Sequence, residues 1–382
     1  MKLALAPEER QLQEEVRAFL AAHCPDPAEV PHALEERMGF LRRWQAECYA
    51  GGYVGRAWPA ELGGGGRPPS EQIVVDQELA AAGAPEFPSV VGLDVLGPAI
   101  LAFGNDEQRR RYVQPILSAE EIWCQGFSEP EAGSDLASLR TTAAETEDGY
   151  VLNGQKTWIS WGQFARWCGV LARTDPSVPK HKGISLLVVD MASPGVEVRP
   201  MVQITGHAEF CELFLDNVVV PKENLLGAPG DGWKIAMHVV AHERGTAALP
   251  RQVMLRTWFD RLVADASDAV LDDAPLLDDD RVQATLARAL VEIEVLRHHA
   301  SRTMSAFVNG GAVGPESSGI KLLMAQAEQT LGAAALEVLG DAGAGSFWHE
   351  RYLYGRAATV YGGTQQIQRD IIGTRILSLP QE

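Results

Sequence analysis

The chain reads as a multi-domain α+β protein whose helices and strands are segregated along the sequence. Three observations predict this. Up to about residue 121, apolar residues recur at three- and four-residue steps. From about Ile122 to Leu226, short runs rich in Val, Ile, Leu and aromatics alternate with turns of Asn, Gly, Asp or Pro. From Asp231 the helical period returns. Strands and helices do not alternate, so a Rossmann arrangement is not expected. The expected organisation is an N-terminal α-helical domain over 1–121, a middle β-domain over 122–228, and a C-terminal four-helix bundle over 229–382.

Each element has a local reason. Leu12, Val16, Phe19 and Leu20 give one apolar face to a helix over residues 8–23. Leu34 to Ala50 form the next helix, closed by Gly51-Gly52. The segment YVGRAWPAELGGGGRPPS is a loop, because Gly and Pro interrupt any period. Helices follow at Ile73–Ala82 and Leu96–Phe103, then at DEQRRRYVQPIL, with Tyr112, Val113, Ile116 and Leu117 apolar. Strands are expected in YVLNGQKTWIS, WCGVLART, GISLLVVD and CELFLDNVVV, with one starting in Ala137–Thr146. Asp231 is placed to cap the next helix. Helical stretches are then expected at 232–266, 280–309, 316–340 and 364–377, the first two linked by DDAPLLDDD.

Bulk numbers narrow the function classes. A chain of 382 residues can bury two or three cores. A formal charge of −18 argues against a nucleic-acid partner, which needs a basic face. Five widely spaced cysteines without a CxxC suggest neither a zinc site nor a disulfide framework, and no metal is expected. The N-terminus MKLALAPEERQLQEEV is too short in apolar residues and too acidic for a signal peptide. No apolar run approaches the roughly 20 residues that span a bilayer. A cytoplasmic protein without a membrane span is expected.

Two segments stand out. CQGFSEPEAGSD (Cys124 to Asp135) is turn-rich: Pro130, Gly133 and Ser134 keep it out of regular structure, and its backbone N–H groups can face a ligand. NGQKTWIS (Asn153 to Ser160) puts a Trp and a hydroxyl on a short apolar strand. Taken alone, the first also fits a surface loop, and Trp158 also fits a core position.

Together, these segments resemble the flavin-binding middle domain of the acyl-CoA dehydrogenase family. KTWIS is similar to that family's KxWI(T/S). GISLLVVD, FCELFLDNVVVPKENLLGAPGDGW and the closing RYLYGRAATVYGGTQQIQRDIIGTRIL match further family motifs in order. The resemblance covers nearly the whole chain. It implies the acyl-CoA dehydrogenase fold, with a β-barrel-like middle domain, and FAD as cofactor. It implies flavin contacts from Gln125, Phe127, Ser128, Gly133 and Ser134 in the loop, with Ser134 also near the acyl-CoA. Trp158 would wall one flavin face, Ser160 would bond near N5, and Thr364 and Gln366 would add contacts from the C-terminus. The implied reaction oxidises an acyl-CoA to a 2-enoyl-CoA. Electrons would pass to an electron-transfer flavoprotein or a similar acceptor. A tetramer is implied, either of one chain or with a paralogue.

The family base needs separate treatment. Many members carry it as the Glu of YEGT, where this chain has Gly362. Glycine cannot take a proton, but its backbone amide can still polarise the thioester carbonyl. A smaller branch places the base on the first long helix of the third domain, directly before an Arg. Here Glu243 precedes Arg244 in HVVAHERGT. Ala236, Val239 and Val240 precede Glu243 by seven, four and three residues, so they share its helical face. Desolvation there would raise the carboxyl toward the range useful to a general base. A half-exposed Glu243 in a charged segment, and a structural ion pair for Arg244, fit the residues as well.

Two family features are absent. Where members have Arg-x-x-Phe-Gly, this chain reads LRTWFDRLVADASDAVLDD. Where they have Gln-x-x-Gly-Gly, it reads LEVLGDAG, with Glu337 and Asp341 that would repel a pyrophosphate. Either the ADP half is bound differently in a homo-oligomer, or a partner chain supplies those contacts. Other readings are a catalytically silent subunit, an acyl-CoA oxidase or flavin monooxygenase relative, and a carrier-protein thioester as substrate.

Overall fold

Helices and strands occupy separate stretches, as the periodicity predicts. The computed structural model describes residues 5–246, 248–271, 274–308 and 314–380; for 241–246, 248, 249, 271, 304 and 306–308 only the backbone is described. Five helices come first: α1 (Pro7–His23), α2 (Leu34–Ala50), α3 (Pro69–Ala81), α4 (Gly97–Phe103) and α5 (Asp106–Leu117). Eight strands follow: β1 (Trp123–Gly126), β2 (Thr142–Glu145), β3 (Gly149–Ser160), β4 (Trp167–Arg173), β5 (Ile184–Asp190), β6 (Val196–Met201), β7 (Phe210–Pro221) and β8 (Leu225–Leu226). The remainder comprises α6 (Gly232–Thr246), α7 (Ala248–Ser267), a short ribbon of β9 (Val270–Leu271) and β10 (Ala274–Pro275), α8 (Asp280–Val308), α9 (Ser317–Leu339), α10 (Phe347–Gly355) and α11 (Gln365–Ile371).

The chain divides into two compact units. One holds the chain up to Cys24, Ile73–Ala84 and everything from Arg244; the other holds Pro25–Gln72 and Pro85–Glu243. The helices before the sheet are therefore shared between the units.

The second unit is built on one mixed sheet in the order β6-β7-β3-β2-β4-β5-β8, with β1 beside β4 in parallel. Its core includes Leu152, Ile159, Val170, Leu187, Leu213 and Val218, all fully buried. The four apolar residues predicted for α5 are all buried. An Asn105–Gln108 capping box opens that helix, satisfying N–H groups that would otherwise lack partners.

The first unit packs α7, α8, α9 and α10 around Leu255, Leu262, Ile293, Leu296, Leu331, Ala335 and Trp348. Trp348 Nε1 donates to Asp265 Oδ2 at 2.8 Å, so the buried indole keeps a partner. Arg17 on α1 reaches Glu78 on α3 at 2.7 Å.

The stretch expected at 232–266 is helical over Gly232–Thr246 and Ala248–Ser267, with residue 247 outside the described ones. Two elements differ from expectation. The helix expected from Leu96 begins instead with a wider π-type turn, Gly92–Leu96. A Cβ at Gly97 would collide with the Trp58 ring, so glycine is what lets the indole pack there. The helix α10 has no counterpart in the sequence reading, because it is short and shows little apolar period.

The feature of the sheet unit that most concerns function is a buried ion pair. Lys156 on β3 is fully buried, and Glu129 is 8% exposed. Lys156 Nζ donates to Glu129 Oε1 at 2.8 Å and to the Phe127 carbonyl at 3.2 Å. Glu129 also accepts from the backbone N–H groups of Arg140 (2.6 Å) and Thr141 (2.9 Å). Thr157 N–H donates to the Ser128 carbonyl at 3.0 Å. These bonds tie the loop after β1 to the middle of β3.

Burial alone would raise the Glu129 carboxyl. The Lys156 ammonium and the donors of Thr141 and Arg140 outweigh it and hold the carboxyl below its ordinary value. Burial pulls the Lys156 ammonium down, opposed by Glu129. With a lowered folded value, the contribution of Glu129 to stability is full above its unfolded value, about pH 4.3, and is lost progressively as pH falls from there through the lower folded value. Removing one partner strands the other in an apolar interior. Glu129→Gln should therefore lower the unfolding free energy by about 3–5 kcal/mol in urea titrations at neutral pH. A loss below about 1 kcal/mol, the worth of a surface pair, would show that the pin does not hold the loop.

Candidate functional site

The site is described within each unit. In the sheet unit, the loop after β1 is bonded to β3 at Lys156 and Thr157. Glu129 and Ala132 exchange backbone hydrogen bonds at 3.1 Å, so Pro130 and Glu131 form a tight turn. Gln125 and Ser128 are half-buried, Phe127 is buried, and Gly133 and Ser134 are exposed. A Cβ added at Gly133 would meet nothing within 4 Å. The protein's own packing does not demand glycine there, and the open space suits a ligand that approaches the backbone closely.

Trp158 is not a core residue. Its ring is 59% exposed, and its backbone φ is +57°. The cause is a bulge in β3. The register with β7 slips between Lys156 and Ile159, so Thr157 and Trp158 together oppose the single residue Glu212. Holding a bulky residue at positive φ costs about 1–3 kcal/mol. The ring meets Phe210 edge-on at 6.0 Å between centroids, leaving most of its surface open. Ile159 returns to the core, and Ser160 is half-buried beside the displaced ring.

Glu243 and Arg244 lie in the backbone of α6, next to one another across the boundary between the two units. Their side chains lie outside the described ones. Upstream on the same helix, Ala236 and Val239 are fully buried, while Met237 is 39% exposed.

In the helical unit, Gly362 and Gly363 form a turn with φ of +63° and +95°. Thr364 caps α11, its hydroxyl oxygen accepting from the Ile367 N–H at 3.3 Å. Gln366 is exposed on that helix. Glu337 is exposed on α9 and accepts from the Thr285 hydroxyl at 3.1 Å; Asp341 is exposed in the short turn Gly340–Gly343.

The sequence reading missed the supports of these turns. It gave neither Lys156 nor Glu129 a role, yet they carry the loop. A lysine inside an apolar strand is the signal that could have exposed the pair, since a buried ammonium needs a partner. Lys321 and Gln368 in the helical unit were missed as well, and nothing in the sequence marks them.

The described residues fit a flavin. A flat heterocycle needs one apolar wall and a few polar groups along its edge. The sheet unit presents an exposed indole, half-buried Ser160 and Ser128 hydroxyls, and open space above Gly133. Among the described residues no cluster of His, Cys, Asp or Glu could hold a metal ion, and no helix is long and apolar enough to cross a membrane.

Comparison with known proteins agrees across the whole chain. Residues 6–120 match the acyl-CoA dehydrogenase N-terminal domain, 124–218 the middle domain and 230–377 the C-terminal domain. The chain is similar to "Acyl-CoA dehydrogenase IpdE1" of Mycobacterium tuberculosis, 40% identical over 364 residues, which covers 93% of this chain and 91% of that one. Among solved structures it is similar to "Tcur3481-Tcur3483 steroid ACAD", with a TM-score of 0.88 and 28% identity over 100% of both chains. It is also similar to the ChsE4-ChsE5 complex of Mycobacterium tuberculosis, with a TM-score of 0.85 and 30% identity over 100% of both chains. With three domains matched in order and a helical–sheet–helical architecture, the chain belongs to the acyl-CoA dehydrogenase family of flavin-dependent oxidoreductases and is an acyl-CoA dehydrogenase.

Proposed function

We propose that this chain binds FAD through its sheet unit and dehydrogenates an acyl-CoA at the α and β carbons, with Glu243 as the base. One observation carries the flavin part: Trp158 is held at positive φ on a bulge with its ring exposed. Backbone strain that exposes a large aromatic ring is an outlier of the kind that clusters at ligand sites. When bound, FAD supplies the acceptor for the β-hydride.

The chain's own residues do the rest. Trp158 gives the flat ligand an apolar wall and keeps water from one face. Ser160, Ser128, Ser134 and Gln125 offer polar groups along its edge, and Gly133 allows the backbone to approach. Thr364 and Gln366 add contacts from the C-terminal unit. Glu243 takes the α-proton as a carboxylate. Support for that role comes from α6: Ala236 and Val239, seven and four residues earlier, form its buried stripe, and helical spacing sets position 243 on the same stripe. Arg244 sets the electrostatics beside the base. The Gly362 N–H donates to the thioester carbonyl as negative charge develops there, lowering the barrier to α-proton loss. Electrons leave to an electron-transfer flavoprotein or a similar acceptor.

Glu243→Gln should bind FAD as the parent does while its turnover falls about 10³-fold or more, because the base is gone and the binding surface is not. Anaerobic bleaching of the flavin by a panel of acyl-CoA thioesters measures this directly. Near-parental bleaching in the variant would assign the base elsewhere.

A second reading concerns assembly, and a specific observation favours it. The position matching the family's Gln-x-x-Gly-Gly carries Glu337 and Asp341, both exposed and both repulsive to a pyrophosphate. We infer that a paralogous chain completes the ADP half of the site in a heterotetramer. The paired names of two similar structures, one a steroid acyl-CoA dehydrogenase, support this and point to a bulky steroid-derived acyl-CoA. Purified alone, the chain should hold well under one FAD per protomer, and co-expression with the paralogue should raise the occupancy. Full occupancy in the isolated chain would return the assembly to a homotetramer.

A further inference from the structure

The turn that carries Gly362 has no stiffness of its own. Two consecutive residues lie at positive φ, and glycine is the residue with the most backbone freedom. A donor that stabilises developing charge must nevertheless be aimed before the reaction begins. Two side chains from flanking helices meet this need.

Lys321, on α9, is 5% exposed. Its Nζ donates to the Ala358 carbonyl at 2.8 Å and lies 3.9 Å from the centroid of the Tyr361 ring. It therefore grips the chain on the side entering the turn, once by a charged hydrogen bond and once by a cation–π contact. Gln368, on α11, is fully buried. Its Nε2 donates to the carbonyls of Gly362 (3.2 Å) and Gly363 (3.1 Å). Its Oε1 is buried with no hydrogen-bond partner. Flipping the amide would set that oxygen against two carbonyls, so the orientation is determined by the turn. An unsatisfied buried acceptor is unfavourable, and here it accompanies a doubly bonded amino group that holds both glycines.

We propose that Lys321 and Gln368 are positioning residues that clamp the Gly362–Gly363 turn from its two ends and so aim the Gly362 N–H at the thioester carbonyl. The inference rests on the reading of that N–H as the carbonyl donor. It assigns roles to two residues that touch neither substrate nor cofactor in that reading.

The test uses the full chain loaded with FAD, together with its partner if one is needed. Three variants are compared with the parent: Lys321→Met, Gln368→Leu and the conservative Lys321→Arg. Amide hydrogen exchange over Ala358–Thr364 reads the clamp itself. The absorbance of a bound aryl-conjugated 2-enoyl-CoA reads carbonyl polarisation, because that band moves to the red as the carbonyl is polarised. In Lys321→Met and Gln368→Leu, exchange should accelerate, the red shift should shrink, and kcat should fall about tenfold or more with KM nearly unchanged. Lys321→Arg should recover most of each. Unchanged exchange in both truncated variants overturns the clamp. Faster exchange with an undiminished red shift and kcat shows a turn that is held but not aimed, and overturns the positioning role. A parent enzyme with no red shift overturns the carbonyl-donor role of Gly362, and the aiming role with it.

Discussion

The sheet unit depends on one buried ion pair. Lys156 and Glu129 lie in the apolar interior, where each alone would be prohibitive, and their bond joins a loop to the centre of a strand. With four hydrogen bonds converging on the two side chains, the loop Phe127–Thr141 has little freedom to move relative to β3. Just beyond Lys156 the strand bulges and presents Trp158. The pin and the bulge are adjacent, so the ion pair, its hydrogen bonds and the short stretch of β3 between them hold the loop close to the indole. A cofactor site built this way is preorganised, which is what a flat ligand with few polar handles requires.

The helical unit solves a related problem with different means. Its functional turn consists of two glycines, and polar side chains from α9 and α11 hold it rather than a strand. In both units the residue proposed to meet the ligand is backed by a buried polar side chain that is not itself at the ligand. The mobile-looking parts of the sequence, FSEPEAGSD and YGGT, are therefore each tied down by side-chain hydrogen bonds from elsewhere in the chain.

The same division runs through the chemistry. In the family, one residue often serves both as base and as backbone donor. In the proposed mechanism the donor position is Gly362, with a φ of +63°, a conformation in which a side chain would be strained. Placing the proposed base on a helix and the proposed donor in a turn lets each be positioned by its own surroundings.

Much of this protein could be read from one dimension. Apolar periods of 3.6 and 2 gave the helix–sheet–helix order, and four ordered motifs named the family, because periodicity and motif spacing are properties of neighbouring residues. Trp158 shows the limit. KTWIS identifies the residue, but strand alternation alone would have buried it. The bulge that exposes it arises from register with β7, where it faces Glu212 from a distant part of the sequence. Lys156 finds Glu129 across 27 residues, and Lys321 finds Ala358 across 37. The sequence by itself determined the order of elements and the family, and it singled out the residues proposed to meet the cofactor. Tertiary structure decided which of them are exposed and what holds them still, since exposure and anchoring are set by partners that approach only when the chain is folded.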